Sequence, residues 1–284
     1  DPDDAFMWYP LVNSPDQTGP DGQPLTPKVD TEQFEFVHLL EDIQSLNERS
    51  EKGELEVTAL SIHQYPYIAD QYALTSCGSS MGEKYGPKVV ASRDMTLDDL
   101  KKTKIAIPGE RTTAYLTLSL LLGKGAFEYE VVPFDQIIER VQAGDFEAGL
   151  IIHEGQLTYS DAGLTQIVDL GEWWFKQHEL PLPLGGNAVR RDLGEQTMRE
   201  LTRVLLRSIR WALEHRRESV KYALQFARGM ETDLADRFVD MYVNKWTLDY
   251  GPTGEQAVNT LMRKAAKAGL IPDPGAIDFV QPAP

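Results

Sequence analysis

His153 ends the apolar run Ala148-Gly-Leu-Ile-Ile152, so a strand should carry it to the carboxyl edge of a sheet. An imidazole titrates near neutral pH and is the side chain most often used as a general base. Glu154 follows directly, but adjacent strand residues point to opposite faces, so adjacency alone does not make it the group that orients His153. The competing reading is a histidine simply hydrogen-bonded at a strand end. Arg111-Thr112-Thr113-Ala114 lies between an apolar strand and an apolar helix. The first N–H groups of that helix, with two hydroxyls, make a site for a carboxylate or phosphate; the alternative is an ordinary threonine cap. The glycine spacing there matches neither a Walker loop nor a dinucleotide fingerprint. Ser61 also ends a strand, with His63 close behind. A triad can be written from Ser61, His153 and an aspartate, but no Gly-x-Ser-x-Gly elbow supports it.

The remaining candidates are weaker. The Gly- and Ser-rich run from Ser76 to Pro87 holds Ser79, Gly82 and Gly86, and either lines a cleft with backbone donors or connects two elements. Cys77 sits inside it and is the only cysteine, which excludes an internal disulfide and any multi-cysteine metal site. His38, His178 and His215 show no metal-ligand spacing, so no metal is expected. Trp173-Trp174 and Tyr159 either stack on an aromatic ligand or pack in a core. Asp3 and Asp4 precede a short apolar stretch, Ala5 to Val12, and either can cap a helix start.

The elements that would position these residues form an α/β pattern. Lys88 to Ser92, Lys104 to Ile107, Tyr129 to Pro133 and Ala148 to Ile152 read as strands, and Thr113 to Leu122 and Phe134 to Ala143 as helices between them. Strands alternating with helices imply parallel pairing with both faces covered. Phe34 to Leu40 and Leu55 to Leu60 read as earlier strands, Asp42 to Lys52 and Ile62 to Tyr72 as helices, and Asn13 to Asp30 as a long loop or hairpin tip. Pro181 to Gly186 reads as a linker, and from Glu195 onward the chain is helical. A strand-rich first third and a helical last third suggest one discontinuous domain, 1–89 with 188–284, and an inserted α/β domain, 90–187. A ligand cleft would lie between the lobes, at the carboxyl ends of the strands.

Composition narrows the function. In 284 residues, 28 Lys and Arg face 44 Asp and Glu, a net charge of −16, which argues against a nucleic-acid or polybasic membrane-surface partner. No apolar run reaches the roughly 18 residues of a membrane span. The chain opens on Asp1 without an initiator Met; the reading expects a cytoplasmic protein, or a periplasmic one if a signal peptide has been removed.

Several blocks together resemble a known family. Pro2-Asp-Asp-Ala-Phe6 is similar to that family's opening Pro-Asn-Asp-Thr-Phe. Thr58-Ala-Leu-Ser61, Gly82 to Pro87, Thr112-Thr-Ala-Tyr115, Gly149-Leu-Ile-Ile-His-Glu154, Asp169-Leu-Gly-Glu-Trp-Trp174, Leu180-Pro-Leu-Pro-Leu-Gly185 and Tyr242-Val-Asn244 follow in matching order. The family is 1,4-dihydroxy-6-naphthoate synthase, of the futalosine route to menaquinone, and the resemblance covers nearly the whole chain. It implies a two-lobed α/β fold of the type II periplasmic-binding-protein kind. It implies cofactor-independent cleavage of cyclic dehypoxanthinyl futalosine, a small-molecule carboxylate, to dihydroxynaphthoate and dihydroxyacetone. It places the base at His153 and substrate binding at Ala59, Leu60, Ser61, Thr112, Thr113 and Ala114. Asp3, Asp4, Ser79, Gly82, Gly86 and Glu154 are further cleft candidates.

The chain departs from the family at three points. The usual Lys-x-Ser is Ala59-Leu60-Ser61, Asp3 stands where Asn is usual, and the family's first strand would precede Asp1. Two other readings compete. One is the sister enzyme chorismate dehydratase, against which the His-Glu block argues. The other is a solute-binding protein for a small (aromatic) carboxylate that performs no chemistry. A family member with a drifted substrate is a third. The oligomeric state is not readable from the sequence.

Overall fold

The computed structural model describes residues 2–226 and 232–284. Its twelve strands are β1 Ser14–Thr18, β2 Pro24–Leu25, β3 Val57–Ser61, β4 Tyr72–Thr75, β5 Ser80–Gly82, β6 Lys88–Ala91, β7 Lys104–Ile107, β8 Glu128–Val131, β9 Ala148–Ile151, β10 Thr165–Asp169, β11 Leu182–Arg190 and β12 Phe279–Val280. One five-stranded sheet runs β10-β6-β9-β7-β8, and a second runs β12-β4-β11-β3 with β5 added beside β11. The first is not the all-parallel sheet that the alternation suggested. β7 is parallel to β8 and β9, but β6 is antiparallel to both β9 and β10. β6 is reached without a covering helix crossover, so nothing forces it parallel.

Several boundaries differ from the sequence reading for local reasons. Pro181 to Gly186 is no linker: its residues from Leu182 onward open β11, the strand that pairs with β3, β4 and β5. Pro183 is tolerated because the β5 pairing shifts register between Pro183 and Gly185, where a missing N–H costs no ladder bond. The helix read over Ile62 to Tyr72 is only a 3-10 turn, Ile62–Gln64, and one short helix, Tyr65–Ile68; Tyr72 already starts β4. Phe34 to Leu40 forms no strand. None of the described strands pairs with it, Val37 is exposed, and the segment borders a groove along β3, the edge strand. Asn13 to Asp30 does hold a hairpin, β1 with β2.

The helix Pro2–Trp8 is a small, almost fully buried element. Phe6, Met7 and Tyr9 pack with Val204, Ile209, Val220 and Val239 from the C-terminal helices Glu195–Glu214, Arg216–Ala223 and Thr232–Tyr242. Burying side chains of this size is worth roughly 1.5–3 kcal/mol each. The Ser208 hydroxyl donates to the Met7 carbonyl at 2.6 Å and fixes the helix end. The predicted helix after Glu195 forms as Glu195–Glu214, with Leu201, Val204, Leu205 and Ile209 buried along one face. These contacts hold Asp3 and Asp4, at the start of the first helix, against the space between the sheets.

Candidate active site

A cleft with about 650 Å³ of empty space, the open solvent at its mouth included, lies where β3, the Thr113–Leu122 helix, β11 and the Pro2–Trp8 helix converge. Asp3, Asp4, Ala59, Leu60, Ser61, Thr112, Thr113 and Ala114 all line it. The substrate-binding set expected from the sequence and the two N-terminal aspartates therefore meet in one place. Gly78, Ser80 and Pro87, from the Ser76 to Pro87 run read as a possible cleft lining, also line it, as do Tyr242, Phe238, Gly185 and Gly186, which had no role in the sequence reading. Tyr242 lay in a matching block, but only tertiary structure brings its helix over the cleft.

The Thr113–Leu122 helix presents its start to the cavity. Thr112 is the N-cap, and its hydroxyl oxygen accepts from the Tyr115 N–H at 3.2 Å. The helix itself supplies no partner for the N–H groups of Thr113 and Ala114, which point outward from its first turn. The Thr113 side chain is engaged elsewhere. Its hydroxyl donates to the Leu184 carbonyl at 2.5 Å and accepts from the His63 N–H at 3.1 Å. His63 Nδ1 lies 3.1 Å from the Thr112 carbonyl, which can only accept, so the ring carries its proton on Nδ1. Burial pushes the His63 pKa down to about 4 and keeps the imidazole neutral. This histidine ties the segment after β3 to the helix start.

Ser61 is clamped by Asn47, a fully buried residue that sequence reasoning missed. Asn47 Oδ1 accepts from the Ser61 N–H at 2.9 Å, and its Nδ2 donates to Ser61 Oγ at 3.1 Å. With one lone pair of Ser61 Oγ engaged by Asn47, its O–H remains available as a donor in the cavity wall. Donors thus dominate one side: two backbone N–H groups and a serine hydroxyl. Among the described residues lining the cavity, none is Lys or Arg. Arg111 stacks on Tyr67, 3.6 Å from the ring centroid, outside the lining.

The other flank of β11 is acidic: Gly185 pairs with Ser61 on one side and with Ser80, the partner of Asp3, on the other. Ser80 Oγ donates to Asp3 Oδ2 at 2.9 Å, whereas Asp3 Oδ1 is buried with no hydrogen-bond partner. Burial, reinforced by the charge of Asp3, pushes the Asp4 pKa up to about 6. The Tyr242 hydroxyl donates to Gln156 Oε1 at 2.8 Å, joining the C-terminal helices to the segment just after His153.

His153 stands one residue beyond Ile152, which lines the cavity; its own ring does not. It is buried, edge-on to Phe134 at 5.5 Å, and its Nδ1 accepts from the Gly155 N–H at 3.0 Å. Glu154 Oε2 is 3.7 Å from the same nitrogen. Ser79, Gly82, Gly86 and Glu154 are also off the lining. Ser79 donates to the Trp246 carbonyl at 2.7 Å. Gly82 and Gly86 are set by close backbone packing: an added Cβ would lie 1.9 Å from the Tyr85 carbonyl oxygen and 2.9 Å from the Gly171 nitrogen respectively. Trp174 is a core residue whose indole N–H donates to the Pro181 carbonyl at 3.1 Å. Cys77 is buried, and its thiol is pushed up to about 12 by desolvation, which makes it inert. Among the described residues no three His, Cys, Asp or Glu gather as a metal site, and no helix is long and apolar enough to cross a membrane.

Residues 1–267 match the family described as Menaquinone biosynthesis. A protein of Thermus thermophilus named 1,4-dihydroxy-6-naphthoate synthase is 39% identical over 269 residues, which cover 95% of this chain and 92% of that one. A solved structure from Archaeoglobus fulgidus is 40% identical and superposes with a TM-score of 0.84, covering 95% of this chain and 96% of that one. The ligand-binding component of an ABC-type import system from Staphylococcus aureus superposes at a TM-score of 0.65 with 14% identity, covering 99% and 93% of the two chains. That last likeness establishes the fold, that of the periplasmic binding proteins, and nothing about chemistry.

Proposed function

This chain belongs to the menaquinone biosynthesis family, and on that footing we propose that it is a 1,4-dihydroxy-6-naphthoate synthase: a carbon–carbon lyase acting on cyclic dehypoxanthinyl futalosine. The carrying observation is the cavity itself, where Ser61, Thr112, Thr113 and Ala114 converge with a helix start built to hold a carboxylate without a cation. The substrate carboxylate sits on the N–H groups of Thr113 and Ala114, with the Ser61 hydroxyl beside it. Ala59 and Leu60 supply apolar wall for the ring.

Bond cleavage needs a proton removed and the developing oxyanion stabilised. In this reading His153 removes the proton. Its Nδ1 accepts from Gly155, so the neutral ring carries its hydrogen on Nε2. To serve as a base it must exchange the Gly155 contact for the substrate, which a turn of the ring on closure of the lobes 1–89 with 188–284 over 90–187 would allow. Aromatisation of the new ring supplies driving force, and the reading assigns no cofactor. The test is incubation of the purified protein with cyclic dehypoxanthinyl futalosine, following dihydroxynaphthoate by chromatography. Catalytic product is expected; saturable binding without product would instead favour a solute-binding protein.

A further inference from the structure

Asp3 is a carboxylate in the wall of a cavity read above as holding a carboxylate substrate. It lines the cavity, is only 6% exposed, and offers one oxygen, Oδ1, that no protein group satisfies. A buried acceptor left unpaired is costly, and the cost is removed when an occupant brings a donor. The other oxygen is fixed by Ser80, so the side chain cannot turn Oδ1 away without losing that bond. Asp4 lines the same cavity. Across β11, whose Gly185 pairs with Ser80 on one side and Ser61 on the other, the cavity offers the reverse chemistry, N–H and O–H donors at Thr113, Ala114 and Ser61.

A cavity with donors on one side and acceptors on the other orients an asymmetric ligand. We infer that Asp3 Oδ1 accepts a hydrogen bond from a hydroxyl of the substrate's polyol arm, the part released as the three-carbon fragment, and so sets which way round the substrate lies. The inference rests on the lyase reading above. A hydroxyl suits the site better than an ammonium group. The elevated proton affinity of Asp4 leaves the acid pair with less than two full charges near pH 6, and a neutral donor needs no full counter-charge.

The test compares two ligands on the chain as it stands. Turnover of cyclic dehypoxanthinyl futalosine and equilibrium binding of 1,4-dihydroxy-6-naphthoate are measured for the parent protein, Asp3→Ala and Asp3→Asn, each with a thermal melt. The product keeps the ring and carboxylate but lacks the hydroxyl arm. Asp3→Ala should lower kcat/KM for the substrate about 10- to 100-fold, the range for a hydrogen bond to a charged group, and alter the product Kd by less than about two-fold. Asp3→Asn keeps an acceptor oxygen and should lose less. Equal losses for both ligands, or an unchanged kcat/KM, would overturn the inference. If Asp3→Ala does not fold, Asp3→Asn decides: a loss confined to the substrate supports the inference, and a uniform or absent effect overturns it. Parent protein without turnover overturns the lyase reading, and this inference with it; parent turnover with an indifferent Asp3 overturns the inference alone.

Discussion

At the scale of single residues, the tautomer of His153 decides what it can do. A backbone N–H can only donate, so the Gly155 contact fixes Nδ1 of His153 as an acceptor. Its place just after a strand was legible in the sequence; the direction of the ring was not, because it depends on Phe134 and on the turn into Gly155–Thr158. Asn47 and Tyr242 were invisible for the same reason. Tyr242 reaches the cavity from a helix far away in sequence, and Asn47 reaches Ser61 from the helix Ile43–Glu51 before β3; no local pattern marks either. His153→Ala should lower kcat by about 10²- to 10⁴-fold, the usual contribution of a general base, with substrate affinity and melting temperature nearly unchanged. Full activity in that variant would remove His153 from the mechanism.

At the scale of elements, the Thr113–Leu122 helix is the part of the site most legible in sequence. Its apolar length, threonine cap and terminal Gly123 are all local signals, and the structure reproduces them. The bonds made by the Thr113 hydroxyl to Leu184 and His63 were not legible, because they join segments from both sheets. Two substitutions separate the helix cap from those ties. Thr112→Ala removes the bond to the Tyr115 N–H, should cost about 1 kcal/mol of stability, and should raise KM several-fold by fraying the carboxylate-binding turn. Thr112→Ser should restore both. Thr113→Val leaves the cap in place but orphans the His63 N–H, so a loss of about 1–3 kcal/mol is expected in denaturant melts. A Thr113→Val protein as stable as the parent would show that this tie contributes nothing. The Phe34 to Leu40 segment marks the opposite limit: it runs along the groove beside the edge strand β3 without pairing to it, so alternation alone does not make a strand.

At the scale of the whole molecule, acid stability follows from three desolvated groups with opposed signs, the buried His63 and the half-buried His38 and Asp4. Burial holds His38 and His63 near 4, below their ordinary 6.5. The unfolded chain therefore takes up these protons first as the pH falls. Their contribution is complete above about 6.5 and is lost progressively toward 4. Asp4 works the other way: raised from 3.8 to about 6, it is protonated first in the native state, so its contribution grows as the pH drops through 6. Two histidines outweigh one carboxylate displaced by a similar amount, so stability should fall between pH 6.5 and 4.5. Acidification also relieves the repulsion of a chain carrying a net charge of −16, which acts against this trend. Guanidinium chloride is a salt and screens that repulsion, leaving the desolvated groups to dominate. The expected outcome is a lower guanidinium midpoint at pH 4.5 than at pH 7, with a smaller difference in His63→Gln, whose amide keeps a donor for the Thr112 carbonyl but does not titrate. A midpoint unchanged or higher at pH 4.5 would mean that the native protein protonates these histidines without opening, and that His63 is not the neutral tie between the two sheets.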